Sequence, residues 1–260
     1  MLNEIKKRKM VIAEIMVLAF LTFKENFKSY IKIALIVGLP VNLILTIVSN
    51  TGITTEGFMT YAMAIASGNT NITDEQVRDF MLYYAAFMLI QALCTPLITM
   101  AGAKFAKSRV DNEPCTPKDA ALASLGKGSV VIFAALIREI FLMVGIPLIF
   151  PWVFFAVVFN FFAYAIVLDD KGIIGSLKYS FYVVRGSFFD MLVSILFIYL
   201  MSTSITYLIQ YIFVLFPYNP AVELIERTVM TAANMIFINA TTFLYLNRKY
   251  LKEGIAEETD

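Results

Sequence analysis

The sequence predicts an all-α integral membrane protein, a single transmembrane domain over residues 1–260. Six transmembrane helices are accompanied by three amphipathic helices lying in the cytoplasmic interface. Three observations predict this. Hydrophobic residues make up 59% of the chain and charged residues 16%, against about 45–50% and about 25% in soluble domains. Mean hydropathy is +0.75, and a globule of this size has too little interior to hide such an excess. Apolar runs long enough to cross a bilayer recur six times between charged or turn-forming stretches. Finally, the cations sort onto alternate loops.

The chain opens with Lys6-Lys7-Arg8-Lys9 and an apolar stretch from Met10 to Phe23. It imitates a signal peptide but lacks a small-residue cleavage site before Lys24-Glu25-Asn26. At about 14 residues it is too short to cross, since a span needs about 20. It reads as an interfacial helix with its basic end among headgroups. The first span is predicted over residues 29–48, and a long outer loop follows over 50–74. That loop holds a weakly amphipathic piece at Phe58–Ile65 and an Asn71-Ile72-Thr73 glycosylation triplet. Thr73 with Gln76 reads as a capping box opening the second span, 77–104, with Pro96 inside it as a kink.

Thr116-Pro117-Lys118-Asp119 combines an N-cap, a proline in the first helical position and a first-turn acid. It starts a second interfacial helix that ends near Gly126-Lys127-Gly128. The third span is predicted over 129–147 and the fourth over 151–168, with Pro147 and Pro151 bracketing the turn. Asp169 and Asp170 are placed at the N-terminus of the third interfacial helix, where carboxylates suit the dipole. Its apolar face is read as Ile174, Leu177, Phe181 and Val184, and its wet face as Lys178, Tyr182 and Arg185. The fifth span is predicted over 188–215 and the sixth over 221–246, joined at Pro217-Tyr218-Asn219-Pro220.

With these spans, every Lys and Arg except Arg78, Arg138 and Arg227 falls on one side. The positive-inside rule then makes both termini cytoplasmic. Each interfacial helix ends in a cation and a small polar residue just before a span: Lys24-Glu25-Asn26, Lys127-Gly128-Ser129 and Arg185-Gly186-Ser187. A small residue permits the bend from lying along the interface to crossing it, and Lys24, Lys127 and Arg185 anchor it to phosphates. A threefold repeat of interfacial helix plus helical hairpin is one reading; independent junctions of the same kind are the other.

Aligned by depth, the spans place Asn42, Gln91, Arg138, Asn160, Ser202, Thr203, Ser204 and Asn234 near the midplane, with Glu139 beside Arg138. A bare charge at that depth costs at least about 2.5–3.5 kcal/mol, so Arg138 is expected to face the bundle interior. Glu223 and Glu226 are its expected acceptors, because Glu139 points roughly 100° away round the helix. The layer is either a pocket for an anionic or amphiphilic ligand or interhelical glue.

Catalytic sets are absent. The chain has no histidine, which removes the commonest general base and metal ligand. No phosphate loop, zinc spacing or nucleophile elbow is present, so no enzyme activity, cofactor or metal is expected. Cys94 and Cys115 are read as unbridged. Nucleic-acid binding is excluded by the lack of a basic stripe with interleaved aromatics.

From Pro147 to Phe189 the chain carries a Pro-bounded Phe-rich span, Ile166-Val167-Leu168-Asp169, Gly172, Ser176-Leu177-Lys178-Tyr179-Ser180 and Arg185-Gly186-Ser187-Phe188-Phe189. This resembles the membrane domain associated with glycerophosphoryl diester phosphodiesterases and the related bacterial YciC-like membrane proteins. The resemblance implies the membrane module alone, in a prokaryotic inner membrane, with no catalytic residues to carry over. The functional expectation is a binding or regulatory protein that engages membrane lipids or lipophilic, membrane-active peptides. The alternatives are a small transporter or channel built on the midplane layer, and the membrane module of a lipid-headgroup enzyme. Small polar faces on the spans also allow a homo-oligomer.

Overall fold

The computed structural model describes residues 2–50 and 73–257. The Phe58–Ile65 piece, Asn71 and Ile72 of the glycosylation triplet, and the Gln76 side chain of the capping box lie outside the described residues.

Apolar runs without charge can satisfy their backbone in lipid only by hydrogen-bonding to themselves, which dictates helices. Among the described residues, six stretches are long and apolar enough to cross a membrane: Phe27–Ser49, Val77–Asp111, Gly128–Gly145, Ile149–Asp169, Phe188–Phe213 and Pro220–Gly254. The described residues are therefore those of an all-helical membrane protein. A 3-10 turn (Leu2–Lys6) precedes α1 (Ile12–Glu25) and α2 (Phe27–Ile33). A π-helical turn (Ala34–Gly38) joins α2 to α3 (Leu39–Ser49). Pro40 lacks the N–H that would bond one turn back and crowds that carbonyl, so the preceding turn widens. Then come α4 (Asp74–Asp111), α5 (Pro117–Leu125) and α6 (Gly128–Gly145). The chain closes with α7 (Ile149–Val158), α8 (Phe162–Asp169), α9 (Ile173–Val184), α10 (Phe188–Phe213) and α11 (Pro220–Glu257).

The two 38-residue helices, α4 and α11, set the frame. At about 1.5 Å per residue each is about 57 Å long, well beyond a hydrocarbon core of about 30 Å. α11 is the hub, packed against α1, α3, α4, α9 and α10. Two glycines allow the closest approaches to it. A Cβ on Gly38 would sit 2.7 Å from Thr231 Cγ2, and one on Gly102 2.7 Å from Ile238 Cγ2.

α1 docks on α11 through Ile15, Leu18, Ala19 and Thr22, all buried. Its approach is fixed by buried Asn247, which accepts from Met10 N at 3.1 Å and donates to the Ile5 and Arg8 carbonyls. The basic run ahead of it is engaged by acids of the protein itself: Lys6 by Asp111, Arg8 by Glu4 and Glu14, Lys9 by Asp190. α5 opens as its sequence dictates, Thr116 Oγ1 accepting from Asp119 N at 3.2 Å while Thr116 N donates to the Asp119 carboxylate at 2.9 Å.

Two expectations are corrected. The fourth span is not one helix: it breaks at Phe159–Phe161 into α7 and α8. Ser180 of α9 bonds to the backbone on both sides of this turn. Secondly, Asp169 and Asp170 do not open α9. Asp169 ends α8, and Asp170 is its left-handed cap at φ 53°; α9 starts after Gly172, which supplies no side-chain cap. Cross-chain partners outbid the dipole: Tyr245 and Lys249 donate to Asp169, and Lys127 to Asp170. On α9 the protein-facing side is Ser176, Leu177, Ser180, Val183 and Val184, while Ile174 and Phe181 are 52% and 41% exposed.

Candidate functional site

Polar residues gather at two levels in the bundle. At one end, Glu223 on α11 is buried and accepts from Ser49 Oγ (2.7 Å), Asn50 Nδ2 (2.7 Å), Tyr218 Oη (3.0 Å) and Arg227 Nη2 (2.7 Å). This ties the tip of α3 and the α10–α11 turn to α11. At the other end, the contacts of Lys6, Lys127, Lys249 and Arg248 bring the basic loops together.

Between these ends lies a cavity of about 440 Å³ walled by α4, α6, α8, α10 and α11. That is within the range of small-ligand sites. Of the residues singled out in the sequence, Arg138, Asn160, Ser202 and Asn234 line it. Buried Asn42 stands just behind the wall, donating to Thr231 Oγ1 at 2.9 Å, and Thr231 lines the cavity. Ser202 Oγ donates to Asn234 Oδ1 at 2.6 Å across α10 and α11. Gln91 is exposed on the outside of α4, Thr203 does not reach the cavity, and Ser204 donates to its own helix at Leu200 O. The cavity thus brings together only part of the polar set picked out from the sequence.

Arg138 lies on α6 with Phe162 of α8 beneath its guanidinium, 5.8 Å from the ring centroid. Its ion-pair partner is Glu139, reached by Nη1, not Glu223 or Glu226. The offset of 100° between consecutive residues is spanned by two long side chains, and Glu223 is held elsewhere, about 12 Å further along α11 than Thr231. Nε of Arg138 is buried and has no hydrogen-bond partner.

The break in the fourth span faces the same cavity, since Asn160, Phe162, Ala163 and Tyr164 all line it. Ser180 of α9 makes the break tenable: its hydroxyl accepts from Phe161 N at 3.0 Å and donates to Val158 O at 2.6 Å. The first turn of α8, at the positive end of its dipole, therefore forms part of the wall near Arg138. Sequence reading missed the hydroxyls of Thr95, Thr99, Thr231, Thr241 and Tyr199, which also line the cavity. The signal was there: Thr231, Asn234 and Thr241 keep helical spacing on one face, as do Thr95 and Thr99.

Residues 10–246 match the family model described as Domain of unknown function (DUF7847). The chain belongs to that family. No curated protein and no solved structure matches it. The match covers α11 to Leu246 and every residue of the cavity wall, so the cavity lies wholly within the DUF7847 domain.

Proposed function

We propose that this protein is a non-enzymatic binding protein of the membrane that holds a lipid or lipophilic peptide by an anionic group, with Arg138 as the charge. One observation carries the reading. A guanidinium on the wall of an intramembrane cavity has one edge engaged by Glu139 and a buried Nε with no acceptor. An arginine at membrane depth is costly unless acceptors surround it, and a carboxylate or phosphate ester would supply what Nε lacks. The positive end of the α8 dipole at the wall favours the same charge.

In this reading both termini are cytoplasmic, the face holding most cations. The short helices α1, α5 and α9 lie in that interface, each leading into a pair of spans in a threefold pattern of short helix plus hairpin. The likeness to the phosphodiesterase-associated membrane domain covers α7 to α9, the part that builds the broken wall, and extends the proposal to a prokaryotic inner membrane.

The test is binding of a dansylated fatty acid, with its neutral methyl ester as control, to the detergent-purified protein. The acid should bind and the ester bind weakly, and Arg138→Leu should weaken the acid about tenfold or more with little change for the ester. Equal affinity for acid and ester, or a variant that changes only thermal stability, overturns the proposal. A small transporter is the second reading, favoured by the interrupted fourth span at the cavity, since discontinuous helices form substrate sites in transporters. Protein-dependent flux of the same acid across liposomes would select it.

A further inference from the structure

Several cations at the basic end are ion-paired with acids of the protein, as Lys6, Arg8, Lys9, Lys107, Lys127 and Lys249 are. Lys24, Lys28 and Lys32 are not. They are exposed, four residues apart, across the junction from α1 to α2. Among the described residues none of the three has an ion pair. Phe20 and Phe27 stand on the same stretch, 53% and 51% exposed. Lys24 precedes the first membrane-crossing stretch, Phe27–Ser49, and Lys28 and Lys32 lie in its opening turns.

We propose that this face is a binding site for the phosphates of anionic phospholipids, seated where the chain enters the bilayer. Charge complementarity selects the partner: three unpaired ammonium groups against a single neighbouring acid, Glu25. The two phenylalanines select the setting. A soluble acidic partner would leave them in water, whereas a headgroup layer takes the ammonium groups at the phosphates and the rings among the acyl chains. Lysine serves such a site as a point charge on a flexible stem, adapting to headgroups that differ in shape. The inference rests on the interfacial placement of α1 proposed above and is independent of the Arg138 cavity. Each cation near an anionic surface adds roughly fivefold in affinity, so three add about a hundredfold.

The experiment counts dioleoyl phosphatidylglycerol and dioleoyl phosphatidylcholine retained by the full-length, detergent-purified protein in native mass spectrometry. Phosphatidylglycerol should be preferred, and K24Q/K28Q/K32Q should remove most of that preference. K24R/K28R/K32R should keep it, and inorganic phosphate at equal concentration should not compete. Lys28→Gln alone, expected to cost roughly fivefold, serves if the triple variant fails to fold. An unchanged preference in these Gln variants, or equal loss in Lys7→Gln/Lys178→Gln, overturns the site. Displacement by inorganic phosphate would make it a free-anion site instead. A nitroxide on Phe20→Cys separates the two layers of the proposal. A label reporting acyl-chain depth with no lipid preference defeats the headgroup site alone; a label reporting bulk water defeats the interfacial placement as well.

Discussion

Ser180 on α9 and Phe161 in the break between α7 and α8, 19 residues apart, complete the fourth span between them: the Ser180 hydroxyl takes the Phe161 N–H at 3.0 Å and gives its own proton to Val158 O. A broken helix in lipid leaves backbone groups that water cannot reach, and here a single side chain satisfies one donor and one acceptor. Ser180→Ala should therefore lower stability by about 1–2 kcal/mol, read as a reduced Tm in detergent. Ser180→Val, which adds bulk at a fully buried position, should cost more. A Tm unchanged by Ser180→Ala would mean that the break stands without α9.

Glu223 makes the opposite end equally exposed to test. It holds Ser49, Asn50, Tyr218 and Arg227 at once. Removing one partner of a buried pair leaves the other uncompensated, which costs about 3–5 kcal/mol. Glu223→Leu should approach the lower end of that range and loosen the α10–α11 turn, with Arg227→Leu costing less because other donors remain on Glu223. The double variant should be less damaging than the sum, a coupling that a double-mutant cycle in thermal unfolding measures. Strict additivity would mean that the two charges are solvated separately.

How much of this was legible in the sequence follows from what each signal reports. Six apolar runs report a solvent, and lipid demands helices, so the count and rough limits of the spans could be read without any fold. Thr116 to Asp119 is a local capping set and folds as local chemistry dictates. The break at Asn160 could not be read, because what stabilises it is Ser180, a contact across helices that no periodicity encodes. The same holds for Asp169 and Asp170, read as dipole partners of α9 but taken by Lys249 and Lys127. Depth alignment found Arg138, Asn160, Ser202 and Asn234 on the cavity wall but also picked Gln91, because depth says nothing of rotation about the helix axis. Arg138 was found by its cost; its partner was misread because a sequence neighbour was judged by direction alone, without side-chain length.

Acid should weaken the basic end in a defined window. The Thr116 hydroxyl, and then its N–H, hold the Asp119 carboxyl below the usual carboxylate range, and Lys127 does the same for Asp170. Both values are depressed on folding, so their contribution is fully present above the unfolded value of about 3.9 and is lost as pH falls through the lower folded values. Tm should be flat in this respect from pH 7 to 5 and fall below about 4. Asp119→Asn and Asp170→Asn should each lower Tm at neutral pH and reduce the acid limb of a thermal-shift series. An acid limb as steep in both variants as in the parent protein would assign it to other carboxylates.

Glu139 separates pocket from glue better than Arg138 itself. The two are adjacent on α6, and their ion pair occupies Nη1 on one edge of the guanidinium. If the cavity receives an anion, Glu139 competes with it for the same charge. Glu139→Gln keeps shape and a hydrogen-bonding group while removing the competitor, so affinity for the dansylated fatty acid should rise about tenfold, equivalent to about 1.4 kcal/mol. Stability without ligand should fall, because the guanidinium then lacks the charged partner it has in Glu139. Added fatty acid should restore Tm, since ligand that binds only the folded state stabilises it by mass action. Opposite signs for affinity and unliganded stability are what a binding residue and its internal competitor produce. A Glu139→Gln protein that is destabilised, binds the acid no more tightly and gains no Tm on its addition would show Arg138 acting as structural glue.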